Sequence, residues 1–153
     1  MRPFLTVGPL TPMIEIINRQ RSTPINARRW RELGERALRT IGSSKQTATV
    51  VFVGDAAIRK LNKQFRGKDQ VTDVLSFPNE AEMFEAENQS QLGEVVIAVE
   101  RAATQAKQNG LTFSNEVAQL ILHGLLHLCG YDHETDGGEM NRLELKLRKK
   151  LGI

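Results

Sequence analysis

Thr47-Ala-Thr-Val-Val-Phe-Val53, followed by Gly54-Asp55 and then by Ile58, Leu61 and Phe65 at helical spacing, sets the architecture of this chain. The first seven residues are rich in β-branched side chains and read as a buried strand. Gly54-Asp55 supplies a turn and an N-cap, and the apolar residues after it share one face of a helix. Working outward, Ile14, Ile16 and Ile17 read as a short opening strand. Ala27, Trp30, Leu33, Ala37 and Ile41 form a helix that Gly42 ends. Downstream, the loop Arg66-Gly-Lys-Asp-Gln70 leads into a strand from Val71 to Phe77, stopped by Pro78. Asn79 to Gln91 is polar, acidic and aperiodic, and is expected to be a mobile loop. Leu92 to Ala98 returns as a strand, followed by a helix ending at Gly110. Ser114 is expected to cap the next helix, which carries Val117, Leu120, Ile121, Leu125 and Leu128 towards Gly130. Asp136 with Glu139 resembles a capping box for a last helix with Met140, Leu143, Leu147 and Leu151 inward. The sum is an α+β single compact domain, with a sheet of about four strands packed with helices.

The 153 residues suffice for one domain with a real core. No apolar stretch approaches the roughly 20 residues of a membrane span. Met1–Pro12 lacks the apolar region and small-residue cleavage site of a signal peptide. Met13 could itself be a natural start, so residues 1–12 are expected to be a flexible extension and 13–153 the domain. The single cysteine, Cys129, excludes an intrachain disulfide and agrees with a reducing, cytoplasmic location. A net charge of +3 is too small to establish a nucleic-acid partner. Its distribution says more: Arg59, Lys60, Lys63, Arg66 and Lys68 crowd one stretch, and Lys146, Arg148, Lys149 and Lys150 another. Glu80, Glu82, Glu85 and Glu87 offset them from a single loop. Both a solvated surface and a basic groove for a polyanion are compatible with this pattern.

All three histidines fall in His123-Gly-Leu-Leu-His127-Leu-Cys-Gly130-Tyr-Asp-His133. Residues four apart on a helix lie one turn above each other, so His123 and His127 point the same way. Gly130 can end the helix in the left-handed conformation and turn the chain back, which lets His133 reach the same point. Three neutral imidazoles leave a fourth tetrahedral position open, the layout of a catalytic zinc site. Ligand type alone leaves nickel, copper and iron open. The spacing is shared with the metzincin proteases, H-E-x-x-H-x-x-G-x-x-H, but their general-base glutamate is here Gly124. Glycine can take no proton, which argues against peptide hydrolysis. Cys129 lies about 200° around the helix from His127 and reads as a small core residue.

These residues resemble the YbeY family of bacterial endoribonucleases. The histidine block matches that family's signature, including its Gly130-Tyr-Asp-His133 ending. Phe65-Arg-Gly-Lys-Asp69 followed by Thr72-Asp-Val-Leu-Ser-Phe-Pro78 forms a second matching block. Leu92-Gly-Glu-Val-Val-Ile97 forms a third, with Glu94 where aspartate is common. The resemblance runs from about Met13 to the C-terminus. It implies one zinc ion per chain held by His123, His127 and His133, and a functional role for Arg66. It also implies cleavage of single-stranded RNA, a role at the 3′ end of small-subunit ribosomal RNA and in ribosome quality control, and hence the small ribosomal subunit as a partner in the cytoplasm.

Without the resemblance, Arg66 reads as a surface arginine at a helix C-terminus, favoured there by the dipole. With it, its forked guanidinium is suited to grip a phosphate. Zinc can lower the pKa of water or act as a Lewis acid on a phosphoryl oxygen. Lys68 reads as a phosphate neighbour or plain surface charge. Asp69, Asp73 and Asp132 are candidates for a proton acceptor or for a partner orienting a histidine, and each equally suits a turn or solvent. Attack by water and attack by the RNA's 2′-hydroxyl both remain open. Two other functions fit the histidines: a metalloprotease-like zinc hydrolase, and a non-catalytic ribosome-associated factor stabilised by zinc.

Overall fold

A computed structural model describes residues 13–79, 91–132 and 134–153. The expected extension at residues 1–12 and nearly all of the expected acidic loop, residues 80–90, lie outside the described residues. β1 (Ile14–Asn18) and β2 (Thr47–Val53) run parallel, and β2 runs parallel to β4 (Gln91–Ala98). β3 (Val74–Pro78) pairs antiparallel with β4, giving the order β1-β2-β4-β3. The four-stranded sheet matches the sequence-based expectation. β2 is interior, which explains its apolar run from Val50 to Val53: successive side chains alternate between two covered faces.

On one face Val50, Phe52, Val95 and Ile97 meet α1 (Ala27–Ile41), α3 (Val99–Asn109), α4 (Phe113–Leu128) and α5 (Glu139–Leu151) in the main core. On the other, Val51, Val53, Val96 and Leu75 meet Ile58 of α2 (Asp55–Arg66). Gly42 and Gly110 end α1 and α3 in the left-handed conformation, as their positions predict.

Some boundaries differ from the expectation. Gly54, not Asp55, is the N-cap of α2; Asp55 already lies in the first turn, where its charge meets the positive end of the dipole. Thr112 caps α4, its hydroxyl accepting the Asn115 N–H at 3.1 Å, so Ser114 is already the second residue of the helix. β3 starts at Val74 rather than Val71. The side-chain amide of buried Asn62 donates to the Gln70 carbonyl at 2.9 Å and holds that residue to α2. The Asp73 carboxylate then accepts the Val74 N–H at 2.8 Å. The capping box does not form, because Gly138 occupies the cap position of α5. Asp136 instead accepts the Gly138 and Met140 N–H groups at 2.8 and 2.9 Å. Leu143 is only partly buried, and Phe65 is 57% exposed, edge-on to the Phe77 ring.

Candidate active site

α4 is the element on which the site is built. Val117, Leu120, Ile121, Leu125 and Leu128 bury its core side, as the periodicity predicts. Gly124 lets it approach β4: a β-carbon there would stand 2.5 Å from Val95 Cγ1. Position 124 therefore faces the sheet, and nothing larger than hydrogen fits beside Val95. His123 and His127 present their rings together, with centroids 4.7 Å apart and planes at 79°. Their Nε2 atoms are 3.1 Å apart.

Beyond α4 the chain turns back as expected. Gly130 has φ +98, its N–H donates to the His127 carbonyl at 3.0 Å, and the Tyr131 N–H returns to Leu126 at 3.1 Å. His133 lies outside the described residues. Cys129 lies 3.5 Å from the Ser43 hydroxyl, just beyond α1, in keeping with a packing role.

A carboxylate stands behind His123. Glu144 Oε1 on α5 is 2.6 Å from His123 Nδ1, and the Arg148 guanidinium holds the other carboxylate oxygen. An ionised carboxylate only accepts hydrogen bonds, so the Nδ1 proton belongs to the histidine. The lone pair of neutral His123 is then on Nε2, the atom turned toward His127. Burial pushes the Glu144 carboxyl up, but its hydrogen bonds to His123 and Arg148 and the positive charge of Arg148 outweigh burial and hold it below its ordinary value.

This arrangement fits a metal ion on two counts. Two nitrogens on one tetrahedral zinc at about 2.0–2.1 Å would lie roughly 3.3 Å apart, close to the separation seen. A metal-ligating histidine characteristically donates its other N–H to a carboxylate, as His123 does to Glu144. Among the described residues no third His, Cys, Asp or Glu is grouped with the pair as a further ligand.

The histidines open onto a cleft of about 380 Å³ that also takes in Arg66, Ser76, Tyr131 and Asp132. Arg66 is the last residue of α2, and its Nη2 donates to the Ser76 carbonyl on edge strand β3 at 3.1 Å. Thus α2, β3 and α4 bring Arg66 and the two histidines to one concavity. Of the three aspartates, Asp132 alone lines this cleft, and it also accepts the Glu134 N–H at 3.0 Å. Asp69 forms a surface ion pair with Arg59 at 2.8 Å, whose hydrogen bond holds the carboxyl below its ordinary value. Asp73 takes the Val74 N–H and the Gln105 amide, the latter at 2.7 Å. Lys68 is exposed.

Sequence reasoning missed Glu144. The available signal was a carboxylate four residues after Met140 and three before Leu147, on the face of α5 that turns inward.

A family profile described as endoribonuclease YbeY matches residues 15–152. Endoribonuclease YbeY of Geobacter metallireducens is 40% identical over 141 residues, covering 92% of this chain and 94% of that protein. Its counterpart in Geobacter sulfurreducens is 39% identical over 137 residues, covering 89% and 91%. That of Helicobacter pylori is 45% identical over 108 residues, covering 71% and 74%. The fold resembles the solution structure of a Thermotoga maritima protein, with a TM-score of 0.60 and 28% identity, covering 90% of this chain and 88% of that one.

Proposed function

This chain belongs to the endoribonuclease YbeY family, whose activity is RNA cleavage, and we propose that it cuts single-stranded RNA with the help of one zinc ion. The same reading gives residues 13–153 as the catalytic unit, with a role at the 3′ end of small-subunit ribosomal RNA and in ribosome quality control, in the cytoplasm. Among the described residues no helix is long and apolar enough to cross a membrane.

The observation that carries the proposal is the convergence of Arg66 with His123 and His127 on one cleft. His123 and His127, with His133 assigned by spacing, would hold the ion. The zinc supplies a Lewis acid for the phosphoryl group and a means of lowering the pKa of water. Phosphodiester cleavage builds negative charge on the non-bridging oxygens, and stabilising that charge is the main task of the site. Arg66 is placed to do this. One arm of its guanidinium is tied to the Ser76 carbonyl, which fixes the plane of the fork, while its remaining N–H donors are available to a phosphate. The Ser76 carbonyl thus aims the arginine. Asp132, which shares the cleft wall with Glu134, is a carboxylate that could accept a proton there. Position 124 cannot do so, because its glycine is packed against Val95.

The decisive experiment pairs metal analysis with cleavage of single-stranded RNA by the wild-type protein and His127→Ala, both freed of contaminating nucleases. The proposal expects about one zinc per wild-type chain, and loss of both metal and cleavage in the variant. Cleavage at the wild-type rate by a zinc-free His127→Ala protein would overturn it.

A further inference from the structure

The buried carboxylate behind His123 reaches the site from α5, an element that contributes none of the expected ligands. Glu144 is only 7% exposed, and both of its oxygens are engaged: Oε1 by His123 Nδ1 at 2.6 Å and Oε2 by Arg148. Burying a carboxylate is costly unless it is paired and hydrogen-bonded. An apolar residue at 144 would have continued the inward stripe of Met140 and Leu147 at no such cost. The arrangement of the three groups gives the carboxylate a task. Arg148 lies one helical turn from Glu144 and fixes its plane. That fixed oxygen keeps the proton of His123 on Nδ1 and stops the ring from rotating about its Cβ–Cγ bond. The Nε2 lone pair is thereby turned towards His127 Nε2, 3.1 Å away, before any ion arrives.

We propose that Glu144, itself aimed by Arg148, is a positioning residue that holds His123 in the tautomer and ring orientation required for metal binding. The inference rests on the metal-centre reading above. It adds that α5 tunes metal affinity without contributing a ligand.

Zinc affinity, measured by competition with a chelator on the full-length protein, supplies the test. Glu144→Ala should weaken binding about 10- to 100-fold, the usual effect of removing such a partner. Glu144→Gln retains an acceptor oxygen and the side-chain volume but loses the charge, so its loss should be smaller. Nitrogen-15 chemical shifts of the His123 ring provide a readout that needs no metal. Wild-type protein should show protonated Nδ1, and Glu144→Ala a mixture of tautomers. If Glu144→Ala does not fold, weaker zinc binding by folded Glu144→Gln carries the test. Wild-type affinity in either folded variant, with His123 unchanged in tautomer, would overturn the proposal. A wild-type protein that binds no zinc, or a His127→Ala variant that binds it fully, would instead defeat the metal-centre reading itself.

Discussion

Gly124 and Val95 are in direct backbone-to-side-chain contact, so close that a β-carbon on Gly124 would stand 2.5 Å from Val95 Cγ1 and 3.2 Å from Val95 Cβ. Glycine in a helix interior sacrifices about 1 kcal/mol against alanine. Here that sacrifice brings α4, with both histidines, down onto β4. Val95 is β-branched and fully buried, so it has little freedom to move aside. Overpacking of this kind costs about 1–3 kcal/mol, which exceeds the propensity gained. Gly124→Ala should therefore destabilise the protein by about 1 kcal/mol and lower Tm by roughly 2–4 °C. In a Val95→Ala background the same substitution should cost less, because both Cγ clashes are gone and only the 3.2 Å approach to the residue-95 Cβ remains. Thermal unfolding of the four proteins checks this; stabilisation by Gly124→Ala beside the native Val95 would refute the contact.

Asn62 shows how a polar residue on an otherwise apolar helix face can hold the site together. It is 3% exposed, and its amide donates to the Gln70 carbonyl at 2.9 Å, while its own carbonyl accepts the Lys68 N–H at 3.3 Å. The loop after Arg66 is thus tied back to α2. Asn62→Ala leaves the Gln70 carbonyl without this donor, a loss of about 1–3 kcal/mol. Denaturant unfolding should show a lower midpoint with an unchanged slope. Amide exchange at residues 67–70 should also accelerate. Wild-type exchange there would mean that the loop is held by other contacts.

How far the sequence discloses this molecule depends on the range of each interaction. α1, β2 and α3 are legible because their signals are local: helical spacing closed by Gly42 or Gly110, and a β-branched run between polar turns. The pairing of His123 with His127 is legible for the same reason, being one turn of a helix. The contact between Glu144 and His123 joins residues 21 apart on different helices, and no local pattern announces it. Helix periodicity marks Met140 and Leu147 as inward but gives no partner for the carboxylate between them. Asp69, Asp73 and Asp132 were equally plausible partners until tertiary structure engaged the first two elsewhere. Phe65 fails differently: it lies at the end of α2, past the sheet cover, and meets Phe77 at the surface.

Binding of RNA should weaken with salt, because each lysine or arginine meeting a phosphate releases counterions. Lys63 and Lys68 are exposed and lie close in sequence on either side of Arg66. Changing both to glutamine should make the slope of log affinity against log salt shallower by about 1–1.5, near the single-strand value for two contacts. Affinities measured at several salt concentrations with a catalytically inactive protein give the slope. An unaltered slope would place the RNA track on another surface.

Arg66 offers the sharpest test of the chemistry. It is an exposed residue at a helix C-terminus, where an arginine commonly serves only the dipole. Its bond to the Ser76 carbonyl and its place on the cleft with His123 and His127 argue for more. If it meets the phosphate as charge develops, Arg66→Ala should keep its fold and zinc but cleave about 10²–10³-fold more slowly. Arg66→Lys should recover only part of the rate. An ammonium restores the charge, but it cannot hold the Ser76 carbonyl and present a planar fork to the phosphate at the same time. Zinc content measured on the same samples separates a lost metal from a lost donor. Should Arg66→Ala cleave single-stranded RNA at the wild-type rate with zinc intact, the arginine is a surface residue, and charge stabilisation must come from the metal and the backbone around it.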